Sequence, residues 1–155
     1  MARRLVAAVF AFLAMPGMVA FAVPLLLLRP SSPGPLSIPG LVLLAIGLVL
    51  LLWCVRDFFV SGRGSLAPWA TPTTLVTVGL YRVSRNPMYV AVAMILWGWA
   101  LAFRSPALAS YALVISVAFH VRVVFGEEPW LAQRHGSEWE RYTARVPRWL
   151  GPPSR

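Results

Sequence analysis

Four apolar segments constrain the fold of this chain more than any other feature of its sequence. They cover approximately residues 5–28, 38–60, 87–103 and 106–125. A helix needs about 20 apolar residues to cross a bilayer, so segment 87–103 reaches that length only with its flanking residues. Hydrophobic residues make up 59% of the chain, which is too apolar for an ordinary soluble domain. The sequence therefore predicts an all-α integral membrane protein, a single domain over residues 1–155 with about four transmembrane helices.

The first apolar segment has a second interpretation. Arg3 and Arg4, the apolar stretch and the residues AFA at 20–22 together resemble a secretory signal peptide with its cleavage site. The apolar residues continue to Leu28, however, which favours a helix that stays in the membrane. Cleavage would leave the orientation of the remaining helices unchanged.

The arginines predict how the helices are oriented. All 14 basic residues are arginine, and the net charge is +9. Because they flank apolar segments, anionic lipid headgroups explain them better than nucleic acid does. With four spans, one side of the membrane carries only Arg29 and Arg104, and the other side carries the remaining arginines. The positive-inside rule then places both termini, the connection 61–87 and the tail 126–155 in the cytoplasm.

Neither a disulfide framework nor a metal centre is expected from the sequence. Cys54 is the only cysteine, and it lies inside an apolar segment. His120 and His135 are too isolated to suggest a metal site. The glycine motifs of phosphate loops and dinucleotide-binding folds are also absent from the sequence.

Three of the five acidic residues have simple structural explanations. Asp57 lies near Arg56 and Arg63 in the sequence and can form a local ion pair at a helix end. The residues SEWE at 137–140 are typical of a capping box, which places both of its glutamates in the first turn of a helix.

The other two acids, Glu127 and Glu128, stand side by side in the sequence FGEEPW, directly after the fourth apolar segment. Pro129 suits the first position of a helix that could run to Gly136. An acid at a helix start contributes only about 0.3–1 kcal/mol, and glutamate is not a favoured N-cap residue. Adjacent carboxylates also repel each other unless cations such as Arg122 compensate. The pair is therefore either a helix start or a binding site for a cationic group such as an ammonium.

A second polar cluster, TTLVTVGLYRVSRNPMYV at 73–90, precedes the third apolar segment. Asn86 suits the N-cap of a helix that begins at the following proline. A capped helix does not explain why Tyr81, Arg82 and Arg85 lie in the same short approach. Arginine binds carboxylates through paired hydrogen bonds, and the face of a tyrosine ring can hold a cation. The cluster and the acid pair together predict a site with a cationic and an anionic wall.

These motifs resemble a known family. The stretches GLYRVSRNPMYV and EEPWLAQRHGSEWERYTARVPRW are similar to those of the isoprenylcysteine carboxyl methyltransferases and their relatives, the membrane phospholipid methyltransferases. The resemblance covers about the C-terminal half of the chain. The matching positions are Gly79, Tyr81, Arg85, Asn86, Pro87, Tyr89, Glu127, Glu128, Leu131, Gly136, Tyr142, Val146, Pro147 and Arg148.

The resemblance implies a membrane methyltransferase that uses S-adenosyl-L-methionine and acts on a lipophilic acceptor, an isoprenylcysteine-type carboxylate first of all. The tail would close a cytoplasmic cofactor pocket, in which Glu127 binds the amino group of the cofactor and Glu128 supports it. Arg85 or Arg122 would orient the acceptor. The implied cofactor-binding residues are Thr73, Thr74, Leu75, Val76, Gly79, Tyr81, Asn86, Pro87, Met88, Tyr89, Glu127, Glu128 and Tyr142.

One departure from the family pattern keeps other functions open. Asn86 stands where the prenylcysteine enzymes typically have histidine, so a role that needs an imidazole cannot be filled at this position. The alternatives are a phospholipid amine N-methyltransferase, a membrane reductase of the sterol-reductase type that uses NADPH, and a non-enzymatic membrane subunit. All of these partner with the bilayer and none with nucleic acid, and the sequence does not fix an oligomeric state.

Overall fold

The computed structural model describes residues 13–28, 36–61 and 75–151. Every regular element in these ranges is helical, which confirms the all-α prediction for this part of the chain. In chain order, the elements are a π-helical stretch (Leu13–Ala22), α1 (Val23–Leu27), α2 (Ile38–Ser61), a 3-10 turn (Gly79–Arg82), α3 (Pro87–Ala102), α4 (Pro106–Arg122), a second π-helical segment (Val123–Glu127), α5 (Glu128–His135) and α6 (Ser137–Thr143).

Two of the four predicted spans are long and apolar enough to cross a membrane by themselves. These are Ile38–Asp57, with a mean hydropathy of 2.7, and Pro106–His135, a helix of 30 residues with a mean hydropathy of 1.9. The other two apolar helices are shorter, at Gly17–Leu27 and Pro87–Ala102. Part of the first predicted segment, residues 5–12, lies outside the described residues. Helix α3 has 16 residues and is therefore about 24 Å long, against a hydrocarbon core of about 30 Å.

Helices α2 and α3 pack backbone against backbone. A Cβ atom on Gly98 would lie 2.6 Å from the backbone nitrogen of Leu44, and one on Gly47 would lie 2.9 Å from the carbonyl oxygen of Ala91. Small residues allow this close approach, which is the usual way that helices associate in a membrane. Because Leu44 faces Gly98 and Gly47 faces Ala91, the two helices run antiparallel.

Helix α3 is the centre of the bundle. Its residues Ala91, Val92, Ile95 and Leu96 are buried, and they form one hydrophobic cluster with residues from α2, α4 and the first π-helical stretch. Helix α4 packs on α3 after a short turn. The predicted start of α3 at Pro87 is confirmed.

Two aromatic side chains donate hydrogen bonds to backbone carbonyl groups of the first helix, which is the π-helical stretch together with α1. Pro24 has no N–H to donate to the carbonyl groups one turn earlier, and an unsatisfied carbonyl is costly in an apolar environment. The indole nitrogen of Trp99 donates to the carbonyl oxygen of Ala20 at 3.0 Å. The hydroxyl of Tyr111 donates to the carbonyl oxygen of Val19 at 3.1 Å. These bonds attach the first helix to α3 and α4.

Candidate functional site

The acid pair lies inside a continuous helix and not at the start of a new one. The sequence predicts that a helix begins at Pro129, but helical residues run without a break from Pro106 to His135. The backbone widens into the π-helical segment Val123–Glu127, and the N–H of Glu128 donates to the carbonyl oxygen of Val123, five residues earlier. The π-helical hydrogen bonding accommodates Pro129, which has no N–H to donate. Such π segments are frequent at functional sites. The pair therefore lies within one long helix, although the α-helical part that begins at Glu128 does have Pro129 in its first turn.

Glu128 is enclosed by two arginines from different parts of the chain. The residues that precede α3, from 75 to 86, are called the approach to α3 below. Nη1 of Arg85, in this approach, lies 2.9 Å from Oε1 of Glu128. Arg148 binds both oxygens, with Nε 2.8 Å from Oε1 and Nη2 2.7 Å from Oε2. The side chains of Arg85 and Glu128 are only 5% and 14% exposed. Glu128 thus fastens α5 to both the approach and the end of the chain.

The surroundings of the two arginines affect their pKa values in opposite directions. Burial lowers the pKa of Arg85, and the positive charge of Arg148 lowers it further, while Glu128 opposes both effects. The hydrogen bond to Glu128 raises the pKa of Arg148. Arginine keeps its charge in proteins, so both side chains remain cations beside the carboxylate. The guanidinium of Arg85 also lies 5.8 Å from the ring centre of Trp139, a cation–π contact.

Glu127 has a different environment. The hydroxyl of Tyr89 donates to its Oε1 at 2.5 Å, and Nε of Arg122 donates to the same oxygen at 2.8 Å. Arg122 Nε is also 3.1 Å from the Tyr89 oxygen, so the three side chains form a closed triangle. The Glu127 side chain is 33% exposed and that of Arg122 is 56% exposed. The Glu127 carboxylate is therefore bonded through one oxygen and is partly exposed, whereas the Glu128 carboxylate is bonded through both oxygens and is largely buried.

The approach to α3 is fastened to the end of the chain through the backbone. The residues that follow α5, from 136 to 151, are called the C-terminal segment below. The N–H of Arg85 donates to the carbonyl oxygen of Pro147 at 2.9 Å. Ser84 Oγ and Asn86 Nδ2 both donate to the carbonyl oxygen of Arg148, at 3.3 and 3.1 Å. Asn86 occupies the predicted N-cap position of α3, but its side chain makes no capping bond. The capping prediction is wrong in this respect because the amide bonds the C-terminal segment instead.

Tyr142 connects the C-terminal segment to the 3-10 turn. Its hydroxyl donates to the carbonyl oxygen of Tyr81 at 2.7 Å. It is buried with Trp139 and Val146, and Leu75 packs against these residues. Burial raises the pKa of Tyr142 to about 12, and burial also raises the pKa of Tyr81 above its ordinary value.

The 3-10 turn can form only with glycine at its first position. Gly79 has a φ of +57°, and a Cβ there would lie 1.8 Å from Oδ2 of Asp57. Asp57 is buried at 7% exposure, below the turn. Its expected ion pair with Arg56 is long, at 3.5 Å, and the Arg56 side chain is 73% exposed. The other expected partner, Arg63, lies outside the described residues.

The capping box predicted at 137–140 does not form. The structure confirms that α5 ends before Gly136, which has a φ of +48°. However, Gly136 joins α5 directly to α6, so Ser137 is already the first helical residue and its side chain makes no cap. The Ser137 carbonyl instead accepts a hydrogen bond from Nε of Arg141 at 3.2 Å.

The predicted cofactor residues fall into four groups, one of which is Glu128 alone, bonded to Arg85 and Arg148. Tyr89 and Glu127 contact each other directly, beside Arg122. A further group lies either where the approach to α3 meets the C-terminal segment or in the core of the bundle. Thr73 and Thr74 lie outside the described residues. The junction and core residues are Leu75, Val76, Gly79, Tyr81, Asn86, Pro87, Met88 and Tyr142. Sequence reasoning missed Arg148 as a partner of Glu128, although Arg148 belongs to a motif that the sequence shows.

An apolar cavity of about 530 Å³ lies next to Glu127. It shares Tyr89 with the triangle described above, and His120 and Trp149 lie at the same end. Nε1 of Trp149 donates to Nδ1 of His120 at 3.3 Å. The remaining walls come from α2, α3, α4 and the C-terminal segment. The lining residues are Leu43, Tyr89, Val90, Ala93, Met94, Trp97, Ser116, Phe119, His120, Trp149 and Leu150.

A family model described as phospholipid methyltransferase matches residues 36–138. This range includes α2 to α5, the approach to α3 and the acid pair. This match shows that the protein is a membrane methyltransferase. The chain belongs to the phospholipid methyltransferase family, which lies in the same superfamily as the isoprenylcysteine carboxyl methyltransferases. No curated protein and no solved structure gives a significant match to the chain.

Proposed function

We propose that this protein transfers a methyl group from S-adenosylmethionine to a membrane lipid amine, and that Glu127 binds the ammonium group of the cofactor. One observation carries the proposal: the two adjacent glutamates differ in what they bind. Both oxygens of Glu128 are bonded to arginines, whereas Tyr89 and Arg122 bond a single oxygen of a Glu127 side chain that is one-third exposed. Glu127 is therefore the carboxylate of the pair that can accept a further cationic partner.

The residues around Glu127 fit the amino-acid end of the proposed cofactor. A carboxylate forms strong, charge-assisted hydrogen bonds with an ammonium, and Arg122 beside it can bind a carboxylate. S-adenosylmethionine would supply a methyl group on a positively charged sulfur. A lipid amine that has lost its proton to water would take this methyl group as the methyl–sulfur bond breaks and S-adenosylhomocysteine leaves. The hydroxyl of Tyr89 donates a hydrogen bond to Glu127, which fixes the carboxylate in place. The C-terminal segment lies beside this region, where Trp149 bonds His120, and Glu128 holds that segment in place.

The pairing of the arginines favours an amine acceptor over a carboxylate. Arg85 and Arg148 bond Glu128, and Arg122 bonds Glu127. A carboxylate acceptor that used one of these three arginines would draw it away from its present partner, whereas a lipid amine needs none of the three. The family assignment supports the same choice. The isoprenylcysteine carboxylate is the second candidate, supported by the sequence motifs and by the exposure of Arg122, which could turn toward an anion.

The arginine positions support a cytoplasmic location for the site. Arg85, Arg122 and Arg148 lie at the end of the bundle that carries the acid pair, while Arg104 follows α3 at the opposite end. We propose a multi-pass topology in which the shorter helices cross the bilayer together with the two long ones. In a Cys54→Ser background, an impermeant thiol reagent applied from the cytoplasmic side should label Gly151→Cys and leave Arg104→Cys unlabelled. The reverse labelling would contradict this topology.

The acceptor can be identified with purified protein in nanodiscs and a labelled methyl donor. The nanodiscs contain phosphatidylethanolamine, a farnesylated cysteine derivative or neither, and the label is followed into each compound. We expect label in phosphatidylethanolamine, and we expect Glu127→Gln to abolish most of it. Label in the farnesylated cysteine alone would favour the second candidate. Label in neither compound would count against both acceptors.

A further inference from the structure

The apolar cavity has a polar end and an apolar end. Tyr89 and His120 lie at the end next to Glu127, under Trp149 of the C-terminal segment. Trp97 lies two helical turns further along α3, on the side of the bundle where Leu43 of α2 joins the lining. From Tyr89 to Trp97 the helix advances eight residues, or about 12 Å. The cavity therefore extends from the candidate methyl-transfer site into the part of the bundle that lies in the membrane.

The size of the cavity fits one hydrocarbon chain. A depth of about 12 Å holds about ten carbons, because a carbon–carbon bond of about 1.5 Å advances an extended chain by about 1.25 Å. The volume of about 530 Å³ equals that of roughly 18 groups the size of a water molecule, at about 30 Å³ each. This is enough for one chain segment and its headgroup linkage. The two complete chains of a diacyl lipid do not fit.

We infer that this cavity binds the first ten or so carbons of one hydrocarbon chain of the acceptor lipid and that Trp97 forms its floor. The inference rests on the proposed function, since it places the reactive headgroup at Tyr89 and Glu127. The second chain of a diacyl acceptor stays in the surrounding bilayer. Ala93 and Trp97 then decide which chains fit, because both line the cavity, Ala93 one helical turn and Trp97 two helical turns beyond Tyr89.

A photoactivatable probe tests where the chain lies. The probe is a lysophosphatidylethanolamine with a ten-carbon chain that ends in a diazirine, added to the full-length protein in phosphatidylcholine nanodiscs. We expect it to label the peptides that contain Trp97 and Leu43, and an excess of unlabelled lysophosphatidylethanolamine should prevent this. Labelling confined to bilayer-facing residues such as Val114 and Val117, which are 63% and 54% exposed, would overturn the inference.

A matched pair of variants tests the cavity by filling it. Ala93→Phe adds a ring inside the cavity, and Val114→Phe adds the same ring on an exposed face of α4. We expect Ala93→Phe to lower labelling at Trp97 by about tenfold or more, the usual effect of blocking an apolar pocket, and Val114→Phe to leave it unchanged. Equal labelling in the two variants would overturn the inference.

Cofactor binding separates a failure of the cavity from a failure of the function. Titration with S-adenosylhomocysteine should give the same affinity in Ala93→Phe and the wild type, which also shows that the variant is folded. The mapping on the wild-type protein needs no methyl transfer. If the wild type bound the chain as described but did not bind S-adenosylhomocysteine, the cavity assignment would stand as a lipid site and the proposed function would fall.

Discussion

Arg148 binds both carboxylate oxygens of Glu128, with Nε 2.8 Å from Oε1 and Nη2 2.7 Å from Oε2. This paired contact joins residues that are 20 positions apart, across the turn at Gly136. The same carboxylate also holds Arg85, so a single side chain fixes the approach to α3 and the C-terminal segment against α5. The position of the C-terminal segment relative to α5 therefore depends on this contact.

Glu128→Gln should loosen the C-terminal segment without unfolding the bundle. The substitution keeps the size of the side chain but removes the negative charge that Arg85 and Arg148 share, and breaking a buried ion pair costs about 3–5 kcal/mol. We expect faster amide hydrogen exchange over residues 137–150 and unchanged exchange in α2 and α3. Glu138→Gln is the matched control, because the Glu138 side chain is 59% exposed. Equal exchange in both variants would show that Glu128 does not hold the segment.

Gly98→Ala should destabilise the bundle by forcing α2 and α3 apart. The added Cβ would lie 2.6 Å from the backbone nitrogen of Leu44, which cannot move aside as a flexible side chain could. Overpacking of this kind costs about 1–3 kcal/mol, measured as a lower midpoint of thermal unfolding in detergent. The control is Gly126→Ala, where a Cβ would meet nothing within 4 Å. A Gly98→Ala protein as stable as this control would contradict the close packing.

Trp99→Phe should weaken the attachment of the first helix. Phenylalanine keeps most of the apolar surface but removes the donor to the Ala20 carbonyl, and an unsatisfied buried acceptor costs about 1–3 kcal/mol. Trp53→Phe is the comparison, since Trp53 is 46% exposed. The stability of both variants in detergent gives the answer. If the two substitutions cost the same, the hydrogen bond contributes nothing specific.

Alkaline pH should release the C-terminal segment before the rest of the bundle unfolds. An unfolded tyrosine loses its proton near pH 10, whereas burial raises the pKa of Tyr142 to about 12. In this window the folded state holds a proton that the unfolded state has lost, so stability falls as the pH rises from about 10 to about 12. Amide hydrogen exchange is too fast to measure at this pH, so the release of the segment should be followed by limited cross-linking of the segment to the bundle. Tyr142→Phe should remove this part of the pH dependence, and an unchanged profile in the variant would contradict the assignment.

The sequence predicts the helices well because hydrophobic segments and prolines are local signals. The starts of α3 at Pro87 and α4 at Pro106, and the end of α5 before Gly136, lie where those signals place them. Pro129 gives the same signal and lies in the first turn of α5, but the π-helical register at Val123–Glu127 joins α5 to α4 without a break. That register depends on contacts beyond the local sequence.

The sequence predicts which residues form the site but not which arginine binds which glutamate. Adjacent acids in a chain with few acids, with arginines and a tyrosine elsewhere, indicate a charged site. Which arginine meets which acid depends on how the C-terminal segment folds back, and nothing local in the sequence assigns Arg148 to Glu128. The same applies to Asn86, whose amide bonds a carbonyl 62 positions away instead of capping its own helix.

The central claim is that Glu127 binds the ammonium group of the cofactor, and a titration with S-adenosylhomocysteine tests it most directly. The purified wild type, Glu127→Gln and Glu140→Gln are compared in detergent, with NADPH as a second ligand; Glu140 is an exposed residue of α6. We predict that the wild type and Glu140→Gln bind S-adenosylhomocysteine equally and do not bind NADPH. Glu127→Gln should bind it about tenfold or more weakly, since a hydrogen bond to a charged group contributes about 1.5–3 kcal/mol and about 1.4 kcal/mol is a factor of ten in affinity. Equal affinity in Glu127→Gln and the wild type, or binding of NADPH alone, would contradict the account.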